Sequence, residues 1–405
     1  MEKKTLKNSW AMAFTVASVW FGTHVGGGFA SGNQVIGYFA QYGITSLIYP
    51  LLTMGLLACI MHIYLKFARL NGFNNYKDTL AALYPNPKME ILFEVFYIVI
   101  ILAAVAAAVA GAGEVLANFF HLPYVGATKV ILNLVIVALL VVLSIFGVKV
   151  VAAASSVLSI AIMVTTAMIV VAGLVAAADG DVQRILAEYG VQGAPYTVKP
   201  LYAFWRGVLV YAAFQCVSIP PMIAASEEMG VTGTKRACIL GWLMNGLALA
   251  LSGYMLSKWY PLLQGLKNAQ VPGFLNATGI PNQTVLTLIG LKWLLVLFSV
   301  LLFCAFVSTC VTLIYTMVQR FSPKLAKFDE RGNHIGGIKN ETLRRVIVAV
   351  VAIALCFSIS LLGLKTITTK VYGYMGYYSL IFVVLPGLIW GIAKNKKLEA
   401  EGKKA

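Results

Sequence analysis

Residues 22–34, Gly-Thr-His-Val-Gly-Gly-Gly-Phe-Ala-Ser-Gly-Asn-Gln, set five glycines, a histidine and two carboxamides in the middle of a long apolar segment. Successive N–H groups at Gly26, Gly27 and Gly28 suit a carboxylate or other anionic group, because glycine permits close approach and the half-helix from Phe29 to Gln41 adds its positive dipole end. Phe29 and Phe214 are placed to flank a ligand side chain. Gln215, Ser218 and the carbonyls freed before Pro220 offer acceptors for an ammonium. A glycine-rich face for helix packing is the competing account of the run.

Charged chemistry inside the apolar segments is sparse. Glu114, behind Gly111 and Gly113, is the one acid well inside a span, and Arg206 lies at a comparable distance from its own outer helix end. A charge in the bilayer needs a partner or a wet cavity, so the two are expected to pair near an outer gate. A snorkelling Arg206 and a protonated Glu114 are the alternative. His24, inside the glycine segment, is either a proton carrier or a hydrogen-bonded packing residue. Six cysteines and four histidines are dispersed without ligand spacing, and neither a catalytic cluster nor a nucleotide motif is visible, so enzyme chemistry is not expected.

The elements that position these residues follow from the solvent. Hydrophobic residues make up 60% of the 405 and charged residues 11%, and the mean hydropathy is +0.84. Such a chain is an integral membrane protein whose uncharged stretches reach the ~20 residues that cross ~30 Å of hydrocarbon as helix. Ten spans are expected, at about 8–40, 43–69, 88–120, 124–147, 149–178, 199–227, 232–260, 283–319, 342–363 and 369–393. An even number puts both ends of the chain on one side. That side also collects Lys3, Lys4, Lys7, Lys66, Arg69, Lys77, Lys88, Lys149, Lys235, Arg236, the 320–345 loop and the 394–405 tail. The net charge of +16 is therefore read as positive-inside topology, with cytoplasmic termini in a cell membrane and lipid as the partner, and not as a nucleic-acid surface.

Lipid cannot solvate freed backbone groups, so a break within a span must face protein, an ion or a ligand. The first span is broken by its glycines. The sixth carries Gln215-Cys216-Val217-Ser218-Ile219-Pro220-Pro221, and two adjacent prolines remove two donors in mid-membrane. The two breaks are similarly placed in successive groups of five helices. Five is odd, so the second group enters the bilayer inverted: residues 1–198 form one repeat and 199–393 the other. The four tyrosines of 372–378 read as an interfacial belt, with one hydroxyl reaching a vestibule as the alternative.

The string Gly26-Gly27-Gly28-Phe29-Ala30-Ser31-Gly32-Asn33-Gln34 resembles the G-A-G-F-A-S-G-Q-E signature of the YkvI-like amino-acid permeases, within the amino acid, polyamine and organocation superfamily. It departs from the signature at Gly27, Asn33 and Gln34, the last exchanging a carboxylate for an amide. The resemblance implies an all-α membrane protein of LeuT type, a five-plus-five inverted repeat with its first and sixth helices broken. Ala305-Phe306-Val307-Ser308-Thr309 is likewise similar to the sodium-ligand pattern of sodium-coupled carriers of that fold. By that likeness the Ala305 carbonyl and the Ser308 and Thr309 hydroxyls join the carbonyls of Gly22 and Val25, five neutral hard oxygens suited to a reversibly held alkali cation. Back-bonding of the hydroxyls to the carbonyl at i−4 competes with this account.

Together these features imply a secondary transporter of a small amino acid or related zwitterion, working by alternating access with sodium as the coupling ion and no bound cofactor. Proton coupling through His24 or Glu114, and a membrane sensor that binds without transporting, are the alternatives.

Overall fold

The computed structural model describes residues 9–120, 122–146, 148–328 and 334–402. Lys3, Lys4, Lys7, residues 329–333 of the 320–345 loop and residues 403–405 of the tail lie outside the described residues. Among the described residues, nine helices are long and apolar enough to cross a bilayer. The first apolar segment makes a tenth crossing in pieces, Trp10–His24, Gly27–Ala30 and Asn33–Tyr38, ending in a tight turn at Ala40–Tyr42. The chain is an all-α membrane protein. Its β-structure among the described residues is a small antiparallel hairpin of Ala326–Phe328 with His334–Gly337, between the eighth and ninth crossings.

Crossings two to five are Thr45–Asn71, Glu90–Phe119, Gly126–Phe146 and Val148–Ala178. The sixth occupies residues 200–225, followed by Val231–Asn268, Lys292–Phe321, Glu341–Ser360 and a tenth over 364–400. Local signals set many of the ends. Ser9 accepts from the Met12 amide, Asn340 accepts from the Leu343 amide, and Gly72 closes the second crossing in a left-handed conformation at φ 68°.

Two expected boundaries change. The 283–319 span divides, because Gly290 at φ 76° separates a short helix, Pro281–Leu288, from the true eighth crossing. The tenth crossing stays helical to Ala400, past the expected end at 393.

Crossings two and seven pack most extensively, and the first lies against the seventh, while the eighth packs on the third and fifth. Small residues permit this closeness: Gly241 receives the Trp20 indole, and a Cβ on Gly253 would come within 2.8 Å of the Ser46 carbonyl oxygen. The broken first crossing is thereby held between the seventh on one side and the third and eighth on the other, and the sixth packs against the first, the second and the tenth.

The sixth crossing is interrupted without being unwound. A π-helical stretch at Phe204–Val210 leads through Tyr211–Phe214 into a 3-10 turn at Gln215–Ser218, and helix resumes at Ile219–Ala225. Pro220 and Pro221 fall in the first turn of that last helix, where amides have no intrahelical acceptor in any case.

Candidate functional site

Helix Trp10–His24 stops because Gly26 is extended, at φ −81° and ψ −179°; Val25 still donates to the Phe21 carbonyl at 2.8 Å. Among the described residues, no backbone amide donates to the carbonyls of Gly22 or Val25, and the amides of Gly26, Gly27 and Gly28 reach no backbone acceptor. Three donors and two acceptors are thus released within seven residues. The half-helix expected from Phe29 to Gln41 is not continuous. Gly32 turns left-handed at φ 82° and Ser31 donates to the Gly28 carbonyl at 3.0 Å, so the first helical piece after the break is only Gly27–Ala30. Its dipole contribution is correspondingly short, and the freed amides themselves are the stronger feature.

These groups border a cavity of about 320 Å³. From the first crossing Gly22, His24, Val25, the three glycines and Phe29 line it, from the sixth Phe214 and Gln215, and from the eighth Ala305, Ser308 and Thr309. Ser218 is the exception. It is buried behind the wall, where its hydroxyl accepts from Thr23 at 3.3 Å, and it offers nothing to the cavity. The Thr309 hydroxyl donates to the Ala305 carbonyl at 2.8 Å, as the back-bonding account requires, while its lone pairs remain available. No Asp, Glu, Lys or Arg is among the described residues that line the cavity.

His24 is a linker between helices. Nδ1 lies 2.8 Å from Asn245 Oδ1 and Nε2 lies 3.0 Å from the Tyr211 hydroxyl, which in turn meets Gln34 Oε1 at 3.2 Å. The Asn245 amide nitrogen donates to Gly241 at 2.7 Å, which leaves its oxygen for the imidazole and makes Nδ1 a donor. Both sides of the glycine break are therefore tied to the sixth and seventh crossings through one buried chain.

Aromatic rings close the cavity on the face opposite the termini. Tyr38, Tyr211, Phe214 and Tyr372 are all buried, with centroids 5.2 Å apart for Tyr38 and Tyr211, 4.7 Å for Tyr211 and Phe214 and 5.3 Å for Phe214 and Tyr372. The cavity extends the other way, toward Tyr97, Thr312 and Leu313 in the halves of the third and eighth crossings nearer the termini. At that end Glu94, buried, pairs with Arg320, accepts from the Tyr76 hydroxyl at 3.0 Å and lies 4.0 Å from Lys77. The Arg320 guanidinium also covers the Tyr76 and Tyr97 rings.

Glu114 and Arg206 do not pair. Arg206 donates to the Thr369 carbonyl at 2.7 Å and stacks over the Tyr38 ring at 4.9 Å, above the aromatic lid. Glu114 is buried against Gly279, away from Arg206. The belt reading of the tenth-crossing tyrosines also needs correction: Tyr374 is exposed, whereas Tyr372 lines the cavity.

No protein-family description matches the chain, and no curated protein sequence matches it. Solved structures do. A Na+-coupled sialic acid symporter in a substrate-bound outward-open state shares 14% identity, covering 95% of this chain and 80% of that one at a TM-score of 0.61. MhsT in complex with L-phenylalanine shares 14% identity over 97% of this chain and 96% of its own, at 0.55. A manganese transporter of Eremococcus coleocola shares 17% over 94% and 78%, at 0.52. At such identities the likeness is one of fold: the chain has the LeuT fold.

Several residues of the site are invisible to motif reasoning. Phe306 packs so closely on Gly27 and Gly111 that a Cβ on either would collide with its ring, making it the wall opposite the glycine break. Tyr211, Asn245 and Tyr38 read in sequence as ordinary residues of apolar helices. A polar side chain in a span, as at Asn245, was the available signal, since such a group must find a partner.

Proposed function

We propose that the protein is a secondary transporter that carries a small amino acid or related zwitterion by alternating access, with sodium as the coupling ion. The observation that supports this most is the pairing, on one broken helix, of three donor amides at Gly26, Gly27 and Gly28 with two acceptor carbonyls at Gly22 and Val25, all facing one cavity without charged side chains among the described residues. The amides suit a carboxylate, and Gln215 takes the ammonium. Gly22, Val25, Ala305, Ser308 and Thr309 hold the sodium ion beside it, as the reversible binding of a coupling ion requires. The neighbours of this fold include a Na+-coupled symporter and a protein bound to L-phenylalanine, in keeping with such a substrate. The amide at Gln34, where the YkvI-like signature carries an acid, leaves no carboxylate at this position for cation or proton handling, so the sodium assignment rests on the neutral oxygens alone.

In this reading the two inverted repeats, 1–198 and 199–393, move against each other around the cavity, and 394–405 forms a tail at the cytoplasmic face of the cell membrane. The test is a thermal-shift screen of the purified protein against amino acids and related metabolites in sodium or potassium buffer, followed by uptake in liposomes. A ligand whose stabilisation and uptake both need sodium is the expected result. Stabilisation without flux makes the protein a sensor, and equal uptake in sodium, potassium and choline overturns the sodium assignment.

A further inference from the structure

A second cavity, also about 320 Å³, lies above the aromatic lid at the face opposite the termini. Arg206, Lys365 and Lys370 line it together with Tyr202, Tyr260 and Thr278, and no carboxylate does so among the described residues. The cations are held in place. Arg206 is fixed over Tyr38 by its bond to Thr369, and the Lys365 ammonium donates to Thr278 Oγ1 at 2.9 Å. Three cations thus converge on one half-buried wall, with Thr278 Oγ1 and the Thr369 carbonyl as the partners of Lys365 and Arg206.

Like charges brought together at a half-buried wall repel unless a counter-charge lies between them. Glu114, buried against Gly279, is not among the residues that line the cavity. Among the described residues the lining therefore carries three cationic side chains and no anionic one. Walls of low dielectric focus the resulting positive field into the cavity.

We propose that this outer cavity is a binding site for a small anion, a carboxylate or a halide, held by Lys365, Lys370 and Arg206. The site is separate from the central cavity, below the lid, and needs neither sodium nor a transported substrate. Its occupation relieves the repulsion among Lys365, Lys370 and Arg206 and raises the concentration of anions at the mouth of the route to the glycine break.

The purified full-length protein is titrated with sodium bromide, sodium acetate and disodium succinate at matched ionic strength, following Tm in the wild type, Lys365→Gln, Lys370→Gln and Gly26→Ala. Lys370 is exposed, so its replacement leaves packing untouched. The expected result is a saturable rise in Tm for the wild type, with the half-saturating concentration increased about tenfold or more in each lysine variant and unchanged in Gly26→Ala. A response to bromide as well as to the carboxylates identifies a general anion site, and a response to acetate and succinate alone identifies a carboxylate site. Identical profiles in the wild type and both lysine variants would overturn the proposal. Loss of the response in Gly26→Ala would do so too, since the anion would then reside in the central cavity. Failure of the amino-acid screen leaves these outcomes unaffected, so the two readings fail separately.

Discussion

Gly26 is the cleanest place to test whether the broken first crossing binds the ligand. A Cβ on Gly27 would strike Phe306, and one on Gly28 would come within 2.6 Å of Gln34 Nε2, so either substitution also disturbs a neighbour; at Gly26 a methyl meets nothing within 4 Å. The backbone there is extended, at φ −81° and ψ −179°, a conformation alanine adopts without strain. Two stability effects of Gly26→Ala oppose each other. Losing glycine at a helix N-cap costs up to ~1 kcal/mol, and the less flexible unfolded chain returns ~0.4–1 kcal/mol. The apo protein should therefore keep its Tm to within a few degrees. The methyl, however, enters open space at the wall of the cavity that Gly26, Gly27 and Gly28 line. One methylene too many in a fitted site is worth ~1–3 kcal/mol, so affinity should fall about 10–200-fold. The assay is calorimetric titration of the ligand found in the thermal screen, with the apo Tm and monodispersity of each variant measured in parallel. An unchanged Kd in a monodisperse variant refutes the placement of the ligand at the glycine amides, and a collapse of apo stability refutes the claim that this backbone is free to accept a side chain.

The proposed sodium site predicts that Thr309→Ala raises the half-saturating sodium concentration for ligand binding by about tenfold or more while leaving the apo Tm near wild type, because among the described residues its hydroxyl bonds to Ala305 on the same helix; titrations of ligand affinity against sodium that superimpose for the two proteins would exclude Thr309. Glu94→Gln leaves the Arg320 guanidinium short of its carboxylate and should destabilise toward the ~3–5 kcal/mol seen when one partner of a buried pair is removed. Combining it with Arg320→Met should recover part of that loss, and a double variant less stable than the single one would mean that Arg320 is held chiefly by the Tyr76 and Tyr97 rings. Glu114→Gln and Arg206→Gln, which residue counting along the sequence suggests as a pair, should be additive in Tm-derived stability to within ~0.5 kcal/mol. A coupling above ~1 kcal/mol would show that the two groups sense each other across the lid.

Which parts of this site are legible in the sequence depends on whether a residue type carries its own physical demand. Glycines 26 to 28 in a segment otherwise able to span cannot be solvated by lipid, so their cluster by itself announces free backbone, and the cavity lies at that break. The prolines at 220 and 221 carry a weaker demand than expected. In the first turn of a helix they displace no hydrogen bond, and the sixth crossing tightens there without unwinding. Depth alone misleads at Glu114 and Arg206. Residue counting sets them level in the bilayer, but whether two side chains meet also depends on which way each helix is turned, and the third crossing turns Glu114 toward Gly279 while the sixth turns Arg206 toward Tyr38. The aromatic lid is hidden for a different reason. Tyr38, Tyr211, Phe214 and Tyr372 come from the first, sixth and tenth crossings, and each belongs to a helix in which an aromatic residue is unremarked, so only their convergence distinguishes a gate from a core. The same reasoning bears on the outer cavity. Arg206, Lys365 and Lys370 each read as a residue near the end of a crossing, and the positive wall they create exists only because the sixth and tenth crossings and the Thr278 segment converge there.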